Sequence, residues 1–236
     1  MDLTSQIKAL LRRAGIDLVR FPSRAHHPLG AFLTRYRIEA VFDVGANVGQ
    51  YGKRLRAEGF RGAIVSVEPD PSAFSVLERT AAHDALWAVH NVALGAEPGH
   101  ATLHVSTLSV FNSLLPPSAY GRASDTRIGV VRDVEVEVTT VDRLLTAHPV
   151  HGALLLKIDT QGFERSVLTG ARDSLRRAVG VQIELSVRPL YEGQPAMHEM
   201  MAELAELGFA PFALMSGYAD PQTGALAEVD GLFCRR

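Results

Sequence analysis

Apolar residues in this 236-residue chain recur with two periods, one helical and one of two residues, and the periods take turns along most of its length. Residues 3–15 (LTSQIKALLRRAG) carry apolar positions at helical spacing. The loop-like RFPSRAHHPLG follows, and the spacing predicts a short helix over 30–37. Strands are then expected at 40–44, 63–68 and 86–91, separated by helices at 50–58 and 71–82. A later series reads as strand 154–159, helix 163–176, strand 180–186, helix 196–207, and closing strands near 209–215 and 226–235. Between the two series, HATLHVS (100–106) and VEVEVTTVDRLL (134–145) alternate like strands with one exposed face, the second running into a short helix. Residues 111–130, rich in Ser, Pro, Gly and Arg, read as a long loop. Strands separated by helices imply an α/β fold with a mostly parallel sheet covered on both faces. The last two strands lack a helix between them and imply an antiparallel edge. No repeat or linker divides the chain, so one main domain over 38–236 is expected, preceded by a helical extension over 1–37.

Composition narrows the partners. Lys and Arg number 24 against 26 Asp and Glu, a formal net charge of −2, so no general affinity for polyanions, nucleic acid included, is indicated. Arginines gather near the start (Arg12, Arg13, Arg20, Arg24, Arg35, Arg37), which fits the solvated face of a helix and its following loop or a peripheral contact with a membrane surface. The single cysteine, Cys234, excludes an intramolecular disulfide and a thiolate zinc site, which suits a reducing cytoplasm. No stretch has the form of a signal peptide or an 18-residue apolar span.

The candidate chemistry starts at VFDVGANVGQYG, Val41 to Gly52. A short buried strand breaks at Gly45, Gly49 and Gly52 into a turn that opens a helix, and Glu68 ends the next strand. In an open α/β sheet, a nucleoside ligand sits at such a turn and the strand-terminal acid hydrogen-bonds its ribose. The spacing Gly45-Ala46-Asn47-Val48-Gly49 is not that of a dinucleotide fingerprint, and Asp43 stands two residues before the first glycine. A carboxylate there would repel a pyrophosphate but suits a ligand carrying an ammonium and a sulfonium. That charge pattern favours S-adenosylmethionine over a nicotinamide dinucleotide, with Glu68 on the ribose and Asp43, Gly45, Ala46, Asn47 and Gly49 about the amino-acid end.

The chain also resembles the FkbM-type S-adenosylmethionine-dependent O-methyltransferases. The resemblance rests on FDVGANVGQY, VEPDPSAF (67–74), HNVALG (90–95), LLLKIDTQGFERSVLTGA (154–171) and EVDGLFCR (228–235), and runs from about residue 40 to the end. It implies a class I, Rossmann-like methyltransferase fold and an alcohol acceptor on a sugar, glycolipid or polyketide. Its most distinctive signature is K-x-D-x-x-G-x-E (Lys157, Asp159, Gly162, Glu164), from which this chain departs by carrying Gln161 before the glycine. The block VEPD brings Pro69 into the cofactor region, and HNVALG suggests that Asn91 and Val92 flank the adenine.

Period-two alternation puts Lys157 and Asp159 on one face at the carboxyl end of a buried strand, where ligands of such sheets bind. Methyl transfer to a hydroxyl needs oxygen, carbon and sulfur in line and a group that removes the proton. Asp159 is the expected base, with Lys157 holding it or the acceptor oxygen. Gly162 and Glu164 are expected to make the turn and cap the next helix. Glu184 ends another strand at the same crevice, as a second carboxylate for acceptor hydroxyls or, with Asp159, for a divalent metal such as Mg²⁺. His104 is a further candidate by its place near the crevice. Asn112 and Ser113, in FNSLL, are expected to cover the methionine moiety or the acceptor from a loop over 107–132 that closes as a lid. The expected activity is O-methylation of a sugar, glycolipid or similar hydroxyl. A polyketide or macrolide O-methyltransferase, an N-methyltransferase and a non-catalytic S-adenosylmethionine-binding protein are the alternatives, and a homo-oligomer stays open.

Overall fold

The computed structural model describes residues 28–236 together with Ile7, Leu11 and Arg13; the rest of the helix expected over 3–15, and Arg12, Arg20 and Arg24, lie outside the described residues. Helix α1 (Pro28–Arg35) leads into β1 (Ile38–Val44), α2 (Gln50–Ala57), β2 (Ala63–Val67), α3 (Pro71–Ala81) and β3 (Trp87–His90). The short β4 (Ala93–Leu94), β5 (Gly99–Ser106), α4 (Ala119–Ser124), β6 (Val130–Thr139) and α5 (Val141–Ala147) follow. The second half comprises β7 (Ala153–Ile158), α6 (Glu164–Thr169), α7 (Arg172–Arg177), β8 (Ala178–Ser186), α8 (Met197–Glu206), β9 (Phe209–Ser216) and β10 (Glu228–Arg235).

Seven strands form one sheet in the order β3-β2-β1-β7-β8-β10-β9, in which β10 alone runs antiparallel to its two neighbours, and β4-β6-β5 form a second sheet. This is the doubly wound α/β arrangement with an antiparallel edge that the alternating periods imply. Because β1, β7 and β8 are covered on both faces, they read as near-continuous apolar runs rather than alternating ones. One face packs Leu29, Phe32, Leu55 and Leu77 of α1–α3; the other packs Leu145, Val167, Leu175 and Leu204 of α5–α8. Helix α1, which the apolar pattern places in the N-terminal extension, belongs to this core: Phe32 is fully buried and meets Phe212 of β9 edge-on.

Local chemistry departs from the sequence reading in two places. The stretch 111–130 is not a bare loop. It holds α4, capped by Ser118 accepting from the Gly121 N–H, and a 3₁₀ turn at Thr126–Ile128, capped by Asp125 accepting from the Arg127 N–H, and is preceded by a further 3₁₀ turn at Ser109–Phe111. Composition identifies turn formers here without showing that they make caps. The helix expected over 163–176 is broken between α6 and α7 at Gly170, where a Cβ would come within 2.0 Å of the Gly95 carbonyl, so the backbones cross in contact. The capped segment packs Phe111 and Ile128 with Leu190, Tyr191 and Ala227, forming a small apolar cap over the carboxyl ends of β7 and β8.

Candidate active site

Strand register places Ser66, Asp43, Lys157 and Gln182 side by side on β2, β1, β7 and β8, one polar row just below the carboxyl ends of the sheet. Lys157 Nζ lies 3.0 Å from Asp43 Oδ1 and 3.5 Å from Asp159 Oδ2, and donates to the Gly45 carbonyl at 3.1 Å. Ser66 Oγ donates to Asp43 at 3.1 Å and accepts from the Trp87 indole at 3.0 Å, while the Tyr51 hydroxyl donates to Gln182 at 2.7 Å. Burial works against the ammonium of Lys157, but Asp43 and Asp159 outweigh it and raise its pKa, so the side chain stays cationic. The row therefore pins the glycine turn from beneath. It also corrects the reading of Asp43: that carboxylate is fully buried and lies behind the cavity wall, because β1 pairs with β7 and sets it against the Lys157 ammonium.

Above the row opens a cavity of about 470 Å³, within the ~300–1,000 Å³ of small-molecule sites. Gly45, Ala46, Asn47, Glu68, Pro69 and Val92 line one half. Gly45 adopts φ +75°, and a Cβ there would lie 1.8 Å from the Asp159 carbonyl, so the turn fits against β7 only as glycine. Gly49, at φ +87°, starts α2 but does not reach the wall. Glu68 is 5% exposed; Oε2 accepts from the Asn47 N–H at 2.8 Å and Oε1 from the Asp70 N–H at 2.9 Å. Burial pushes its carboxyl up to about 7 against the pull of those two N–H groups. Each oxygen keeps a lone pair, so a 1,2-diol could donate to both, and this half of the cavity fits an adenosine-type ligand.

Asp159, Gln161, Glu184, Glu228, Asp230 and Tyr218 line the other half. Asp159 is about one-third exposed and accepts from Gln161 Nε2 at 3.1 Å. The same nitrogen donates to Glu184 at 2.8 Å. Burial first, and Glu228 next, hold the Glu184 carboxyl well above its ordinary range; burial and then Asp159 push Glu228 up to about 8. Burial and Asp159 also raise Asp230. Glu228 and Asp230 were not expected from the sequence. Their signal is the i, i+2 spacing of two acids at the start of an apolar strand, which in an antiparallel strand lies at the ligand end of the sheet. Glu164 accepts from the N–H groups of Thr160 and Gly162, fastening the turn before α6.

Two candidates lie off the cavity wall, and two line it with their polar atoms engaged. His104 pairs with Asp133 at 2.7 Å on the small sheet and is absent from the cavity wall, because β5 turns its apolar partners Leu103 and Val105 the other way. Asn91 is exposed off the wall, its amide bracing the carbonyls of Glu68 and Pro69. Asn112 and Ser113 do line the cavity, but their polar atoms are engaged: Asn112 with Asp70 and the Ser106 N–H, Ser113 with the Gln161 carbonyl and the Leu115 N–H. They fasten the segment over the cavity from both sides. Among the described residues no group of three or more His, Cys, Asp or Glu side chains is arranged to hold a metal ion, and no helix is long and apolar enough to cross a membrane.

The model of the methyltransferase FkbM domain matches residues 43–211, well over half of the chain. Among curated proteins none matches. Solved structures resemble it distantly. A TehB-like SAM-dependent methyltransferase from Corynebacterium glutamicum shares 12% identity over 99% of this chain and 96% of its own, at TM-score 0.45. TehB from Haemophilus influenzae shares 8% over 96% and 66%, at 0.47, and LepI in complex with SAM 14% over 99% and 52%, at 0.49. Likeness this distant carries no functional weight.

Proposed function

The chain belongs to the FkbM methyltransferase family and depends on S-adenosylmethionine, and from that premise we propose that it methylates a hydroxyl oxygen of a sugar, glycolipid or related natural product. The cofactor supplies an electrophilic methyl on a sulfonium. What this chain adds is alignment and a base. Glu68 takes the ribose diol, the backbone from Gly45 to Asn47 and the strand-end residues Pro69 and Val92 wrap the nucleoside, and Asp159 accepts the proton of the attacking hydroxyl.

The observation that carries the reading is the asymmetry of the cavity. The half away from Glu68 is walled by carboxyl groups, Asp159, Glu184, Glu228 and Asp230, which receive hydrogen bonds from a hydroxylated acceptor. Of these, Asp159 alone stands at the end of β7 within ion-pair distance of a lysine while remaining about one-third open to the cavity. Lys157, committed to Asp43 and Gly45, acts as its fixed neighbour rather than as a group that moves to the acceptor.

A panel of sugars, glycolipids and macrolides, followed through release of S-adenosylhomocysteine, tests the acceptor class. With the best acceptor, Asp159→Asn keeps shape and removes the base, so kcat should fall by ~10²–10⁴-fold with S-adenosylmethionine affinity nearly unchanged. Near wild-type turnover in that variant would remove Asp159 from the reaction, and transfer only to amines would replace the O-methyl reading.

A further inference from the structure

Gln161 is where the signature departs from the family pattern, and it stands at the centre of the acceptor half of the cavity. Its backbone sits at φ +54°, in the left-handed region that a non-glycine residue adopts only when its surroundings hold it there. The hold is visible: Ser113 Oγ donates to its carbonyl at 2.6 Å, and Gly162 follows at φ +101°. Its side chain is equally constrained. The Tyr191 hydroxyl, buried under the cap, lies 2.9 Å from Oε1, and Nε2 reaches Asp159 Oδ1 at 3.1 Å and Glu184 Oε2 at 2.8 Å. A flipped amide would turn its carbonyl towards the Asp159 carboxylate and give up the Tyr191 donor, so the orientation with Nε2 on the acids is the favoured one. Both amide hydrogens are then spent, one on each acid.

Asp159 thus lies between two donors. Lys157 Nζ is 3.5 Å from its second oxygen, well beyond the ~2.7–2.9 Å of a charge-assisted hydrogen bond. The two residues share one face of the chain two positions apart, so a turn of the Asp159 side chain would bring its carboxylate onto the ammonium that Asp43 and Gly45 hold in place. We infer that Gln161 is a positioning residue that tethers Asp159 away from Lys157, keeping its carboxylate turned to the cavity instead of closed into an ion pair. The inference rests on the reading of Asp159 as the base. It goes further by naming what keeps that base available, and it assigns the left-handed backbone at 161 a purpose: placing one amide between two acids.

The test is the position of Asp159 in the full-length protein carrying Gln161→Leu, which keeps bulk and removes both N–H donors. Its crystal structure should show Asp159 swung onto Lys157 at about 2.8 Å. Calorimetry with S-adenosylmethionine should give an affinity within about twofold of wild type, because the cofactor half is untouched. With an acceptor in hand, turnover should drop by up to ~10²-fold, the scale of a ~1 Å misplacement. Gln161→Met, of similar length, uncharged and without the N–H groups, should release Asp159 in the same way and serves if the leucine variant does not fold. A lower melting temperature with Asp159 still 3.5 Å or more from Lys157 would make Gln161 a scaffold residue and overturn the tether. The base reading fails separately: if Asp159→Asn turns over normally, that reading is lost, whereas the distance in the Gln161 variants judges the tether alone.

Discussion

Replacing Glu68 by alanine separates what this side chain does for the fold from what it does for the cofactor. The carboxylate is 5% exposed and accepts from two backbone N–H groups, of Asn47 at 2.8 Å and Asp70 at 2.9 Å. Each orphaned N–H costs about 1–3 kcal/mol. Against that, the variant no longer buries a carboxyl whose pKa burial has pushed up to about 7, so part of the cost is returned at neutral pH and above. A net loss of about 2 kcal/mol corresponds to a melting point roughly 4–8 °C lower for a chain of this size. Binding answers differently. A ribose diol held by both oxygens forms two hydrogen bonds to a charged group, each contributing about 1.5–3 kcal/mol, so affinity for S-adenosylmethionine should fall at least about tenfold. Thermal melts and calorimetry on the same preparation read the two quantities, and Glu68→Gln, which keeps one acceptor oxygen, should lie between. A folded Glu68→Ala protein binding within about threefold of wild type would refute the placement of the ribose on Glu68.

The same raised acids set a pH dependence. Glu68 and Glu228 titrate near 7 and 8 in the fold, above the usual carboxyl range, so the folded state holds more protons than the unfolded one between about pH 4.5 and 8, and ligand-free stability should decline across that window. Asp125 has the opposite sign: Arg127 holds it down at about 2, so its contribution is present above the ordinary carboxyl range and is lost as pH falls towards 2. Melting curves from pH 3 to 9 check both, and a melting point rising steadily from pH 5 to 8 would contradict the first. Gly45→Ala puts a Cβ 1.8 Å from the Asp159 carbonyl at a φ of +75°. Turn and β7 must separate, at a cost of at least about 2–3 kcal/mol. An unchanged denaturant midpoint would show that the turn can shift freely.

Much of this architecture is legible in the sequence because its signals are local. The glycine turn, the acid at the end of β2 and the alternation of strands and helices are each written within a dozen residues. The mostly parallel sheet and its antiparallel edge follow from where helices intervene and where they do not, whereas the order of the strands is set by pairings between distant segments. What sequence hides is register. Asp43 reads as a ligand-binding acid because its partner is more than a hundred positions away, and only the pairing of β1 with β7 sets it beside Lys157. His104 reads as a candidate for the same reason: alternation along β5 is visible, but which face meets the cavity is decided by β6 and the segment after it.

Register also accounts for the residues that were missed. Glu228 and Asp230 reach the cavity because β10 runs antiparallel to β8, setting Asp230 opposite Glu184 and bringing the first residues of the strand to the ligand end. The parallel strands deliver only their last residues there, so an antiparallel strand doubles the kinds of sequence position that can contribute a functional acid. Gln161 shows the converse. It lies inside a recognisable signature, at the position where this chain departs from the pattern. In the fold, the amide at this place donates to both Asp159 and Glu184, which an ionised carboxylate cannot do. The one amide thus bridges the two acids across the wall of the cavity, which makes residue 161 part of the hydrogen-bond network that sets Asp159 in place.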